Sequence, residues 1–124
     1  MRGSFGLKVK KYNNTKVTVD GIKFDSKKEA ARYGELKLLQ VAGEISNLTP
    51  HPKFVLQPSF KKNGKTIRSI TYTADFSYLK GDQVIIEDVK PYNMKLQKYI
   101  LAEDFVLKQK MFEYLHQELT ITLV

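Results

Sequence analysis

The order of helix and strand signals along these 124 residues predicts an α+β domain, a sandwich whose central mixed sheet is flanked by helices. Three observations carry that expectation. A capped helical segment precedes three strand-like segments joined by tight turns, and a second helix precedes a last strand, giving the order α-β-β-β-α-β. The apolar faces of such a sheet need cover, which the two helices supply. No repeat or linker interrupts the run, and the length suits a single domain over residues 1–124.

Residues 1–14 read as a basic N-terminal arm ending in Asn13-Asn14, and nothing is built on Met1-Arg2-Gly3-Ser4. Lys16 to Val19 followed by Asp20-Gly21 predicts a small hairpin. Ser26 is the N-cap of the first helix, with Glu29 at the capping-box offset, and the helix runs to Val41, where Gly43 stops it. Asn47 to Pro52 reads as a loop. Phe54, Leu56 and Phe60 fall at alternate positions of a strand that Pro58 marks as an edge. Asn63-Gly64 is a hairpin signal, and Thr66 to Leu79 returns as a second strand rich in β-branched and aromatic residues. Lys80-Gly81-Asp82 turns the chain into a third, Gln83 to Lys90, so the three form a meander. Pro91 closes it, a polar stretch follows, and the surest part of the second helix is Asp104 to His116. Leu119 to Val124 is the last strand.

With 42% hydrophobic and 27% charged residues the composition is that of a folded globular protein. The absence of cysteine excludes disulfides and thiolate zinc sites, and His51 and His116 read as isolated, so any metal is expected to be oxygen-bound. No apolar run nears the roughly 20 residues that cross a bilayer, and the N-terminus lacks a signal-peptide core; a cytoplasmic protein is expected. A net charge of +8 creates a field that attracts polyanions. Its lysines are spread along the chain and form no amphipathic basic helix, which favours nucleic acid over a membrane as partner.

Alternation along the third strand places Val84, Ile86, Asp88 and Lys90 on one side and Ile85, Glu87 and Val89 on the other. Asp75, on the preceding strand, reaches the same end of the sheet. Two carboxylates and a lysine then converge. Paired carboxylates suit Mg²⁺, a hard cation that takes oxygen ligands and bridges to a substrate phosphate. Lys90 would orient the attacking water or stabilise charge on the pentavalent phosphorus, so the constellation predicts phosphodiester hydrolysis. The bland alternative makes all three ordinary exposed strand residues, with Asp88 merely paired to Lys90.

Glu29 shares a helix face with Tyr33 and Leu36, which aims it at the sheet as a third metal ligand or water-positioning group, against the plain alternative of a capping-box residue; Glu35 lies on a different face. Lys108 shares a face with Phe105, Phe112 and Leu115 and would reach substrate phosphates, although such a lysine more often snorkels. Gln57 would hydrogen-bond a water or phosphate beside the acids. Arg68, Lys61, Lys62, Lys65 and the arm residues Lys8, Lys10 and Lys11 are candidate backbone contacts, each singly more often a solubilising charge.

Four segments carry a family resemblance: Asp20-Gly21-Ile22-Lys23-Phe24-Asp25-Ser26-Lys27-Lys28-Glu29-Ala30, Gln57-Pro58-Ser59-Phe60, Tyr72-Thr73-Ala74-Asp75-Phe76 and Glu87-Asp88-Val89-Lys90. In this order they resemble small phage and prophage PD-(D/E)xK endonucleases, a group related to Holliday-junction resolvases. The resemblance implies the αβββαβ restriction-endonuclease-like core, with Asp75 as first acid, Asp88 as second, Lys90 as the lysine and Glu29 as the acid of the first helix. It makes Gln57 and Lys108 accessory. Ala74 stands where a proline usually precedes the first acid, and Pro91 where a glycine is expected after the lysine, stiffening the substrate-side loop. The function implied is a Mg²⁺-dependent, or Mn²⁺-dependent, endonuclease on phage DNA, including branched junctions, acting as a homodimer that cuts two strands symmetrically, with no small-molecule cofactor. The alternatives are a non-catalytic DNA-binding or packaging accessory protein and a nuclease acting on RNA.

Overall fold

The first hairpin turns at Asp20-Gly21, whose φ values of 54° and 76° give the two-residue primed turn that matches strand twist. It joins β1 (Val17–Val19) to β2 (Ile22–Phe24) in an antiparallel pair. The structure is a computed structural model that describes residues 15–124; the expected basic arm, with Lys8, Lys10 and Lys11, lies outside the described residues. Helix α1 (Lys27–Val41) starts as its sequence predicts: extended Ser26 accepts the Glu29 N–H on its hydroxyl at 3.1 Å, a cap worth about 1 kcal/mol. Glu29, Tyr33 and Leu36, spaced for one face, are the buried residues of α1, and Gly43, at φ 82°, follows its end. The Asp20 carboxylate accepts from the Tyr33 hydroxyl and the Lys37 ammonium, which fastens the hairpin turn to the helix.

Beyond α1 run β3 (Ser46–Pro50), β4 (Lys53–Gln57), β5 (Phe60–Lys62), β6 (Lys65–Ile67), β7 (Ile70–Thr73), β8 (Phe76–Lys80) and β9 (Gln83–Asp88). A short hairpin, β10 (Tyr92–Asn93) and β11 (Lys98–Tyr99), leads to α2 (Glu103–Leu115) and β12 (Ile121–Leu123). The central sheet has the order β12-β9-β8-β3, with β12 parallel to β9 and the other pairs antiparallel. The fold is therefore the expected α+β arrangement, a mixed sheet with a helix on each face.

Three expectations about strands are corrected. Asn47 to Pro52, read as a loop, contains most of β3; its polar residues, Pro50, Asn47 at φ 55° and a register shift are tolerated because β3 is an edge strand. The expected strand over residues 54–60 breaks at Pro58-Ser59 into β4 and β5, since proline removes a ladder donor. The return over Thr66 to Leu79 falls into β6, β7 and β8. Bonds from His51 N–H to Asp75 O at 2.9 Å and Ala74 N–H to Pro52 O at 3.0 Å bridge the last break. β3–β4 and β7–β8 are thus two halves of one long bent hairpin, whose outer end is the β5–β6 turn at Asn63-Gly64.

Two cores lie on opposite sides of the sheet. Phe24, Tyr33, Leu36, Ile45, Phe76 and Tyr78 pack under α1. Leu56, Tyr72, Ala74, Ile86, Phe105, Phe112 and Ile121 pack under α2. Strand β9 feeds both by alternation: Ile86 belongs to the α2 side, and Ile85 and Val89 to the α1 side. No helix among the described residues is long and apolar enough to cross a membrane.

Candidate active site

Where β7 breaks from β8, the backbone turns Asp75 toward the end of β9. Its own N–H donates to Glu87 O at 3.1 Å, and its Oδ2 accepts the Val89 N–H at 2.6 Å. Asp88 is the last residue of β9 and only 3% exposed. Its Oδ2 accepts the Tyr72 hydroxyl at 2.6 Å, and its Oδ1 pairs with Lys90 Nζ at 2.6 Å. The Lys90 ammonium also lies 4.1 Å over the Phe105 ring, a cation–π contact that restricts a flexible stem. Val124 clamps the backbone here: Lys90 N–H donates to Val124 O and Val124 N–H to Asp88 O, each at 3.0 Å.

The first turn of α1 brings in Glu29, 5% exposed, whose Oε1 lies 3.0 Å from His51 Nε2. The Ser26 cap leaves the Glu29 backbone satisfied and its carboxylate free for that contact. His51 sits at the bend between β3 and β4 with φ 52°, and its ring packs 5.4 Å from that of Phe24. One ligand atom each of Glu29, His51 and Asp75 lie within 4.8 Å of one another.

These acids crowd. Burial, and after it the Asp88 charge, push the Asp75 carboxyl up to about 8, with Glu29 adding to the rise and the Val89 N–H opposing it. Burial and the hydrogen bond to Asp88 likewise hold the Tyr72 proton well above the ordinary phenol range. None of Asp75, Asp88 and Lys90 is an exposed strand residue.

An open cavity of about 610 Å³ is walled by Glu29, Asp75, Asp88, Lys90, Tyr72 and Lys108. The start of α1 forms one rim, where Lys28 Nζ donates to Lys90 O at 2.6 Å. Glu29, Asp75, Asp88, Lys90 and Lys108 are thus brought together as the sequence leads one to expect. Gln57, Lys61, Lys62 and Arg68 are not among the lining residues: Gln57 is half-buried opposite Ile70, and the three basic residues are exposed on the outer part of the bent hairpin.

Sequence reasoning treats His51 as isolated and passes over Tyr72; the structure corrects the first and adds the second. The signal for His51 lay in strand pairing: with residues 46–57 recognised as the partner of residues 70–80, His51 falls opposite Asp75. Glu87, beside Asp88 in sequence, serves the other face. It is 1% exposed and bound by Arg32 Nη2 at 2.6 Å, Arg32 Nε at 2.9 Å and the Tyr78 hydroxyl at 2.5 Å, a network that ties α1 to the sheet.

The chain belongs to the family described as "Protein of unknown function (DUF1064)", whose model matches residues 9–124. No curated protein and no solved structure matches it.

Proposed function

We propose that this member of the DUF1064 family is a divalent-cation-dependent endonuclease of the PD-(D/E)xK kind, hydrolysing DNA phosphodiester bonds. One observation carries the reading: the carboxylates of Glu29, Asp75 and Asp88 converge on one cavity, where Lys90 Nζ pairs with Asp88 at 2.6 Å. Burial first, and then the neighbouring Asp88 and Glu29 charges, raise the Asp75 carboxyl, and a cation seated among the three acids would relieve that repulsion. An oxygen-rich donor set with excess negative charge fits Mg²⁺ or Mn²⁺, with Asp75 and Asp88 as ligands and Glu29 as a further one. When bound, such a cation supplies Lewis acidity to a phosphate oxygen and makes its water more acidic.

The chain's own groups do the rest. Tyr72 and the Val89 N–H fix the two carboxylates, so little reorganisation is left for the reaction. Lys90, held between Asp88 and Phe105, presents its ammonium to the phosphate oxygen on which charge accumulates. Lys108 at the cavity wall contacts a flanking phosphate, and Lys61, Lys62 and Arg68 on the outer hairpin follow the backbone farther out, with Gln57 hydrogen-bonding at the hairpin's inner end. The net charge of +8 supports a polyanion substrate. The segment resemblance supports branched, Holliday-junction-like DNA, cut by a homodimer in the cytoplasm, as the setting.

Cleavage of a labelled four-way junction, its matched duplex and an RNA duplex tests this, with Mg²⁺ or EDTA, for wild type, Asp75→Asn, Asp88→Asn and Lys90→Ala. Metal-dependent cutting of DNA, lost in all three variants while binding persists, is the expected result. Binding with no cutting in any divalent metal would overturn it in favour of an accessory protein, and preference for RNA would reassign the substrate.

A further inference from the structure

The nuclease reading has no use for His51, yet the structure goes to some length to place it. Its φ of 52° is a left-handed conformation that a non-glycine residue holds only where the surrounding structure fixes it. The bond from its N–H to Asp75 O at 2.9 Å fixes that bend against the strand carrying the first acid. Its side chain remains 33% exposed, so an ion from solvent can reach it, while Glu29 beside it is almost wholly buried.

We propose that His51, Glu29 and Asp75 form a mixed nitrogen and oxygen seat for a second divalent cation. Asp75 is shared with the cation at Asp88, Glu29 serves the second cation in place of the first, and the seat prefers Mn²⁺ to Mg²⁺. This deepens the nuclease reading and rests on it for the neighbouring cation. Glu29 Oε1 and His51 Nε2 are 3.0 Å apart. That is also about the edge between adjacent ligands of an octahedral ion with bonds of about 2.1 Å, whose opposite ligands stand about 4.2 Å apart. All three ligand atoms already lie within 4.8 Å, so closing onto an ion takes movements of well under 1 Å. The hydrogen bonds of the His51 ring involve Nε2 alone among the described residues. Nδ1 can therefore carry the ring proton while Nε2 turns its lone pair to the metal. Imidazole nitrogen suits first-row transition ions, whereas Mg²⁺ favours oxygen and water, so the nitrogen donor sets the preference.

The test uses the full chain without DNA. Mn²⁺ is titrated and followed by EPR, with pulsed EPR reading the ¹⁴N coupling of a directly bound imidazole, for wild type, His51→Ala and His116→Ala. The chain has only two histidines, so coupling that survives in His116→Ala comes from His51. The expected result is ¹⁴N coupling in wild type and His116→Ala, and in His51→Ala its loss together with a fall in Mn²⁺ affinity at one seat on the order of tenfold or more. Mg²⁺ affinity should change less than twofold. Bound Mn²⁺ without ¹⁴N coupling in wild type overturns the seat, leaving His51 as a residue that positions Glu29, and does not touch the nuclease reading if Mg²⁺ still supports cutting. Wild type that binds no divalent ion at all sinks both. Should His51→Ala fail to fold, wild type and His116→Ala still decide the matter.

Discussion

Glu87 and Asp88 are consecutive acids with opposite duties, and removing the first tests the architecture independently of any function. Glu87→Ala takes away a carboxylate that receives both Arg32 nitrogens and the Tyr78 hydroxyl. It leaves a guanidinium whose side chain is 26% exposed and a buried hydroxyl without their partner. Breaking a buried pair from one side costs about 3–5 kcal/mol. Arg32 keeps Glu35 at 3.1 Å and some water, which places the loss near the lower end, about 3 kcal/mol. Replacing the whole network by apolar groups in Arg32→Met, Glu87→Leu, Tyr78→Phe should return stability to within about 1 kcal/mol of wild type, because no charge is then stranded. Urea unfolding of metal-free protein at pH 7, followed by far-UV circular dichroism, measures both. A loss below about 1 kcal/mol for Glu87→Ala, or a triple variant as unstable as the single one, would refute the account of α1 being tied down by a buried ion pair.

Three further outcomes are expected. The Asp75 carboxyl is raised to about 8 from an ordinary 3.8, so between those values the folded protein binds more protons than the unfolded chain; metal-free stability should therefore fall as pH rises through this window, and Asp88→Asn should flatten the fall. Thermal melts at pH 5 and pH 8 check this, and Mg²⁺ or Mn²⁺ should raise the melting temperature more at pH 8, since protons compete with the ion at low pH. Neutralising Lys61, Lys62 and Arg68 together should weaken DNA binding and reduce the slope of log affinity against log salt by about 0.9 for each residue that contacts a phosphate, measured by fluorescence anisotropy. Deleting Leu123 and Val124 removes the backbone clamp on Asp88 and Lys90; about 1–3 kcal/mol of stability should go with the two hydrogen bonds, and cleavage should fall more steeply than DNA binding.

Local chemistry was the legible part of this fold. Ser26 as cap, Gly43 as stop, and Asp20-Gly21 and Asn63-Gly64 as turns are decisions made within a few residues, and each stands in the structure. The facing of β9 was legible for the same reason, since alternation needs only the strand itself. Residues 46–50 were not, because an edge strand can be polar and contain proline when its stability comes from β8, nearly thirty residues away in the chain. His51 disappeared with that strand: its contacts are with residues 22 positions before it and at Asp75, and composition carries no trace of either. Tyr72 was read as one more β-forming aromatic, and only its hydroxyl against Asp88 distinguishes it from the rest of the core. The β10–β11 hairpin, two residues per strand, is too short for periodicity to register.

Alternation along β9 also limits how this gene can change length. An insertion or deletion that shifts the strand by one residue exchanges the faces of Glu87 and Asp88. Arg32 would then meet the wrong position, and the cavity would receive an acid displaced along the strand while Tyr72 and Lys90 lost theirs. A shift by two restores the faces but brings Ile86 or Lys90 to the place of Asp88, and Ile85 or Val89 to that of Glu87. Frame-preserving length variation should therefore be excluded from β9 and confined to segments such as the outer end of the bent hairpin, where a bulge is absorbed without reaching the acids.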